Sequence, residues 1–228
     1  MMRTSFFALF LGVAILLDAC RTNAIRPVAP AFYCWQNTLA LSPAQLDYLD
    51  KTNCRKLYVK VADIGLEPGS KEIIPYSQLQ ISDTSGLSRF EIVRVIFITN
   101  EVFKDMNPEK TEWLSGKIAE LQTRVIFPGS PSGRQEFQID CDWTNSTRET
   151  FFQFLRVLRT KLPAGTCLSA TIRLHQYKFP DQTGVPPVER GILMCYNTGD
   201  IDNMTTGNSI LDLADARKYI LGAPKYYP

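Results

Sequence analysis

From residue 32 onward, short apolar runs alternate with longer amphipathic ones. Residues 32–36, 57–62, 92–99, 137–142, 167–174 and 192–196 are rich in aromatic, β-branched and leucine side chains, and each run predicts a strand. The stretches between them carry helix-start signals. Ser42-Pro43-Ala44-Gln45 predicts a helix in which Ser42 caps, Pro43 takes the first turn and Gln45 reaches back, with Leu46 and Leu49 facing inward. Asn107-Pro108 opens a second helix with Leu114, Ile118 and Leu121 on one face. Ser146-Thr147-Arg148-Glu149 spells a capping box begun by Ser146, and Phe151, Leu155, Leu158 and Leu162 line the helix that follows. Residues 209–221 predict a last helix, and residues 66–88, rich in Gly, Pro and Ser, predict a loop.

Strands alternating with helices imply a parallel sheet covered by helices. A doubly wound open sheet would place a Gly-rich phosphate loop after its first strand, but that turn is Asn37-Thr38-Leu39-Ala40-Leu41, without glycine. Strand parity favours a barrel. Phe137, Ile139 and Cys141 share one face of their strand, whereas Gln138, Asp140 and Asp142 share the other. In the next strand Leu168, Ala170, Ile172 and Leu174 oppose Ser169, Thr171, Arg173 and His175. The oily face suits packing on helices and the polar face a barrel lumen. The expected fold is therefore α/β, a (β/α) TIM-barrel type. It is incomplete, since about six strand–helix units stand where a closed barrel needs eight. The strands at 32–36 and 192–196 should then be open edges. The sequence ends at Lys225-Tyr226-Tyr227-Pro228, where a seventh strand is due. The expectation is either a fragment or an edge covered by a partner or by a rearranged sheet.

The N-terminus changes the picture from domain to exported domain. Arg3 precedes an almost wholly apolar stretch, residues 6–17, closed by Asp18-Ala19-Cys20. Such a stretch is too short for a stable membrane span and matches a signal-peptide core. Leu17-Asp18-Ala19-Cys20 resembles a lipobox, in which the cysteine is acylated and becomes the first mature residue; an ordinary cleaved signal peptide is the alternative. The expected organisation is a lipoprotein signal peptide at 1–20, a tether at 21–31 and a partial barrel at 32–228. It places the protein in the bacterial cell envelope, held on the membrane through a lipid anchor on Cys20, with the outer membrane preferred over the inner because Arg21 is not the Asp of inner-membrane retention.

Composition narrows the partners. The net charge is +2 over 228 residues, with 45% hydrophobic and 21% charged side chains, which is globular and carries no basic run suited to nucleic acid. Beyond Cys20 the cysteines are Cys34, Cys54, Cys141, Cys167 and Cys195, an odd set without metal spacing. Buried free thiols are the favoured reading, with one disulfide as the alternative. No cofactor or metal motif is present.

The chemistry concentrates in Glu136-Phe137-Gln138-Ile139-Asp140-Cys141-Asp142-Trp143-Thr144. Asp140 and Asp142, at i and i+2, project the same way from a strand end. Close like charges raise one carboxyl pKa, and a barrel mouth can use such a pair to orient or protonate a sugar. The alternative is an internal ion network in which Lys60 and Arg173, of the same parity, neutralise both aspartates.

Ile139-Asp140-Cys141-Asp142-Trp143 resembles the strand-four signature of chitinase-like (family eighteen) glycoside hydrolases, D-x-x-D-x-D-x-E, and Met194-Cys195-Tyr196-Asn197 resembles their strand-six M-x-Y-D. Over most of the mature chain, in stretches such as 138–144 and 184–188, the sequence resembles bacterial lipoproteins with a glycoside-hydrolase-like barrel. The resemblance implies a carbohydrate-active barrel whose partner is a glycan or polysaccharide. Asp140 and Asp142 match the signature. Thr144 stands where the acid Glu belongs, Glu136 is displaced by one from the first Asp, and Asn197 replaces the strand-six Asp. A hydroxyl has no accessible proton at neutral pH, so hydrolysis would need another carboxylate. Glu101, past the third strand, and Asp63, past the second, are the candidates, each against a reading as surface or turn charge. For binding, the candidates are Trp35 and Tyr196 as stacking rings, with Lys60, Arg173, His175, Tyr177 and Asn197. His175 also suits a hydrogen-bonding wall position, and Trp143 suits the core by parity. Three functional readings stand: a glycan-binding or glycan-processing lipoprotein, a non-catalytic surface binding lipoprotein, and an inactive truncated product.

Overall fold

The structure is a computed structural model that describes residues 28–127, 135–199, 208 and 210–223. The signal segment, Cys20, Ser209 and the last residues 224–228 lie outside the described residues, so the lipidation and chain-end expectations are not addressed by it.

All six apolar runs form strands. In chain order the elements are β1 (Ala31–Cys34), β2 (Thr38–Leu39), α1 (Pro43–Lys51), β3 (Lys56–Leu66), β4 (Ile73–Gln78), β5 (Gln80–Ile81), β6 (Glu91–Ile98), α2 (Pro108–Arg124), β7 (Glu136–Asp140), α3 (Arg148–Lys161), β8 (Cys167–Arg173), α4 (Leu174–Lys178), α5 (Pro180–Thr183), β9 (Arg190–Met194) and α6 (Leu213–Ile220). The main sheet runs β1-β3-β6-β7-β8-β9 with every neighbour parallel, and β4 folds back antiparallel on the far end of β3. Among the described residues β1 and β9 are its ends, as the strand count predicts.

Side chains on the inner face show that this sheet curls. The Tyr33 hydroxyl on β1 donates to Gln138 Oε1 on β7 at 2.8 Å. Three strand spacings separate those backbones, about 14 Å along a flat sheet, which only strong curvature lets the two side chains close. Glu136 on β7 likewise meets both Lys56 on β3 and Arg190 on β9, each two strands away. The architecture is thus a half-barrel, an incomplete (β/α) barrel with helices on its convex side.

The core lies between the convex face and the helices. Val59, Ile96, Phe137, Ile139, Leu168 and Ile172 from the strands meet Leu114, Ile118, Phe151, Phe154, Leu155 and Leu158 from α2 and α3. At about 25 cal/mol per Å² of apolar area removed from water, this layer dominates stability. On the concave face Tyr58, Val93 and Val95 form a small apolar cluster, with Tyr33 and Ile192 against it.

Local signals are partly corrected. Ser42 and Gln45 make the reciprocal cap, at 3.3 and 2.8 Å. The box at 146–149 does not form: α3 begins at Arg148 with Thr147 as its cap residue, because the Thr147 hydroxyl is occupied by the preceding turn. The stretch 66–88 is not simply a loop but contains β4 and β5, and β3 is lengthened to Leu66 by pairing with β4. The fifth predicted strand stops at Arg173, and Leu174 and His175 turn into α4. The last helix is shorter than expected, with Asp212 capping it through Asp215 N–H at 3.0 Å. Five cysteines, Cys34, Cys54, Cys141, Cys167 and Cys195, are free thiols.

Candidate functional site

Parallel strands place their C-terminal ends together, and the candidate residues gather there. Asp140 ends β7. It is 4% exposed and accepts from the Thr171 hydroxyl of β8 at 2.6 Å. Burial holds its carboxyl above the usual range, and the Asp142 charge adds to this. Asp142, one step outward, is half exposed and grips Arg173 in a bidentate pair: Nη2 donates to Oδ2 at 2.6 Å and Nε to Oδ1. Arg173 also donates to the Tyr196 hydroxyl at 3.3 Å and lies 5.8 Å from that ring's centre. The two aspartates therefore share a face, as parity predicts, but differ in state: one is buried on a neutral partner and the other is neutralised.

Lys60 does not join them. It pairs with Asp63 at 2.7 Å instead. Strict alternation would put Lys60 and Asp63 on opposite faces. A bulge at Val61, between Lys60 opposite Val95 and Ala62 opposite Ile96, brings Asp63 round to the concave side opposite Phe97. Phe97 is in turn opposite Asp140, so Asp63, Phe97 and Asp140 form one row. Glu101 sits in a 3-10 turn just past β6, exposed and 3.5 Å from Lys104. Burial keeps the Tyr76 hydroxyl of β4 protonated above its usual range, and the charges of Asp63 and Glu101 reinforce this, so the three lie within electrostatic reach.

The aromatic side of the cleft comes from β1. Trp35 is 39% exposed and stacks on Tyr33 at 5.2 Å with nearly parallel rings, and Tyr33 stacks on Tyr58 at 4.7 Å. Tyr33 and Tyr58 are additions to the sequence reading; the same alternation that singles out Trp35 and Lys60 runs through both. Thr171, too, is legible only through its row with Asp140.

Beyond β8 and β9 a cleft of about 260 Å³ is lined by Arg173, His175, Met194, Tyr196, Asn197 and Tyr219. His175 reaches it from a helical turn, not from the strand face that parity suggested, because the strand ends two residues earlier. Partial burial and the Arg173 charge lower its pKa below the usual value. Asn197 adopts a left-handed backbone, φ 53°, which asparagine tolerates. Tyr177 packs against the helical core and takes no place in the cleft. Trp143 is core as well, its indole N–H donating to the Thr183 carbonyl at 3.1 Å.

Thr144 is held in its own turn. Its backbone N–H donates to the Thr147 hydroxyl at 2.9 Å, its hydroxyl lies 3.0 Å from that of Ser146, and Thr147 donates to Asn100 at 2.5 Å. Glu136 is far from this end, at the N-terminal start of β7, where Lys56, Tyr58 and Arg190 surround it. No group of three metal-binding side chains occurs among the described residues.

No protein family matches the chain, and no curated protein does either. Among solved structures it is similar to the chitinase domain of the spore coat protein CotE from Clostridium difficile, with 12% identity and a TM-score of 0.48, over 79% of this chain and 54% of that one. It is also similar to the spore cortex-lytic enzyme SleL of Bacillus cereus, with 15% identity and a TM-score of 0.45, over 75% of this chain and 42% of that one. The chain spans about half the length of these structures. Likeness at this level says nothing of activity or substrate.

Proposed function

We propose that this protein is a lipid-anchored protein of the bacterial cell envelope that binds a glycan in the strand-end cleft and does not cleave it by the chitinase route. One observation carries the reading. A single concave face presents an exposed indole on a stack of tyrosines together with buried and paired carboxylates, Asp140 and Asp142. Sugars are recognised by such mixed surfaces: their C–H faces pack on aromatic rings and their hydroxyls need fixed donors and acceptors. Arg173, Tyr196 and Asn197 offer further polar groups at the rim.

The absence of a proton donor at Thr144 favours binding over turnover, since general acid help is worth roughly a hundred- to ten-thousand-fold in rate. The test is calorimetric titration of the full chain with N-acetylglucosamine oligomers and soluble peptidoglycan fragments, with product analysis of the same mixtures. Saturable binding that weakens in Trp35→Ala, without new reducing ends, supports the reading. Turnover lost in Glu101→Gln would replace it with hydrolysis by another acid, and no binding to either glycan would sink it. The envelope location rests on Ala19-Cys20. Cells fed a fatty-acid analogue should label the wild type but not Cys20→Ala, and equal labelling would refute the anchor.

A further inference from the structure

Two bulges lie close together on β3 and β4, and both aim a side chain at one patch of the concave face. On β3 the bulge at Val61 carries Asp63 round to that face, opposite Phe97. On β4 the pairing passes from Ser77, opposite Asp63, to Pro75, opposite Ile64, so Tyr76 is the extra residue. Gly65 lies two residues beyond Asp63 and opens to the same side. The Tyr76 ring lies over Gly65, where a Cβ would collide with it. Tyr76 is nevertheless 54% exposed, and its hydroxyl has no hydrogen-bond partner among the described residues.

Trp35 borders the same patch from β1. It follows the last β1–β3 pair, Cys34 with Val59, and so stands level with Lys60. Its ring shares the face of Tyr33, on which it stacks. The Lys60–Asp63 ion pair, 2.7 Å long, therefore lies between the two exposed rings. Lys60 and Asp63 are three residues apart, about 10 Å along a strand, which sets the spacing of the rings. Both carboxylates that reach Tyr76 have a cation of their own, Asp63 in Lys60 and Glu101 in Lys104.

The structural alternative is that Tyr76 only covers a glycine on an edge strand. That role uses one face of the ring and asks nothing of the residues around it. It does not account for the bulge on β3, which gives up regular pairing to turn Asp63 to the same patch, nor for a second exposed ring on the far side of the ion pair. Bulges commonly re-aim side chains beside a site, and here two of them converge.

We propose that Tyr76 is a second sugar platform of the strand-end cleft, so that the cleft takes an extended oligosaccharide of uncharged pyranose units. One unit stacks on Trp35 and a later one on Tyr76, with the Lys60–Asp63 pair beside the hydroxyls between them. The C–H face of a pyranose suits an open aromatic ring, and the free phenol hydroxyl can donate to or accept from a sugar hydroxyl. Uncharged units fit because the charges bordering the patch are already paired. This inference rests on the glycan-binding reading above and adds to it a length requirement and a residue that enforces it.

The experiment titrates the full chain by calorimetry with the dimer and the pentamer of N-acetylglucosamine, and with the cationic, de-N-acetylated pentamer. The wild type should bind the pentamer more tightly than the dimer, which reaches one ring only, and should not prefer the cationic form. Tyr76→Leu keeps an apolar cover over Gly65 but has no flat face. It should weaken the pentamer about threefold to tenfold, as expected for one aromatic contact, and leave the dimer unchanged. In the wild type the Tyr76 ring resonances, assigned by their loss in Tyr76→Phe, should shift with the pentamer; that measurement decides the matter if Tyr76→Leu does not fold. If no oligomer binds, the glycan reading falls and this inference with it. If oligomers bind but the pentamer is unaffected by Tyr76→Leu, or both lengths weaken equally, or the cationic form is preferred, this inference alone is overturned.

Discussion

Glu136→Gln removes the charge at the base of the concave face without changing its shape. The Glu136 side chain is 2% exposed and receives Lys56 Nζ at 3.2 Å, the Tyr58 hydroxyl at 3.3 Å and the Arg190 guanidinium. Removing one partner of a buried ion pair costs about 3–5 kcal/mol when the other charge is stranded. Here the cations are not stranded. Lys56 keeps Glu91 at 2.8 Å and is 24% exposed, and the Arg190 side chain is 46% exposed, so water can take over much of the lost interaction. Glutamine also keeps one acceptor for Tyr58. The expected cost is therefore about 2–3 kcal/mol, between a charged hydrogen bond and a fully stranded ion. For a domain of this size that is a drop of roughly 5–10 °C in Tm. Urea unfolding followed by circular dichroism gives the free energy, provided the slope m is unchanged. Replacing the group as a whole, Lys56→Met with Glu136→Leu and Arg190→Leu, should recover part of the loss, because the one charge it leaves unpaired, Glu91, is 40% exposed and is hydrated. A loss below about 0.5 kcal/mol for Glu136→Gln would mean that the cluster is a solvated surface group and that the curl of the sheet does not rest on it.

Asp140→Asn should be stabilising near neutral pH and without effect in acid. The native carboxyl has its pKa raised above the ordinary 3.8 by burial, so the folded state holds its proton longer than the unfolded state, and wild-type stability falls as pH rises from about 3.8 through the native value. Urea midpoints of both proteins across that range check it, and a difference that shrinks with rising pH would reverse the sign. Gly184→Ala should cost at least about 1 kcal/mol, since φ is +74° and a Cβ would stand 2.7 Å from the Phe152 ring. Gly69→Ala, with nothing within 4 Å, is the control and should shift the urea midpoint little; equal effects at both glycines would refute the steric argument.

Period-two and period-three-to-four patterns made most of this fold legible, because strands buried on one face and helices with one oily stripe write their burial directly into the sequence. The shared face of Asp140, Asp142 and Arg173 follows from that rule, and the bidentate pair bears it out. What the pattern missed depends on single-residue departures from it. The Val61 bulge reverses parity for Asp63 and takes Lys60 away from the two aspartates. His175 falls past the point where β8 ends, so its parity with Arg173 has no meaning. Exposed β4 has no buried stripe to announce it, with Pro75 and Tyr76 facing out and its backbone pairing to β3 as its main tie. Tyr177 is polar enough to pass for a cleft residue, while its ring serves the core.

The two ends of β7 bear on why binding rather than cleavage is proposed for the stretch that resembles the chitinase-type signature. An acid that protonates a leaving group needs a proton at neutral pH, a position at the strand end and freedom to reach the substrate. Glu136 is committed to Lys56 and Arg190 at the wrong end of the strand. Asp142 is in place, but the Arg173 guanidinium occupies both of its oxygens. Burial favours the protonated form of Asp140, yet that carboxyl is buried on Thr171. At the remaining position, Thr144 spends its hydrogen bonds on its own turn. None of these four residues meets all three requirements. On the proposed reading, a surface that keeps oriented polar groups while none of these residues combines the parts of an acid catalyst suits recognition of a glycan better than its cleavage by that route.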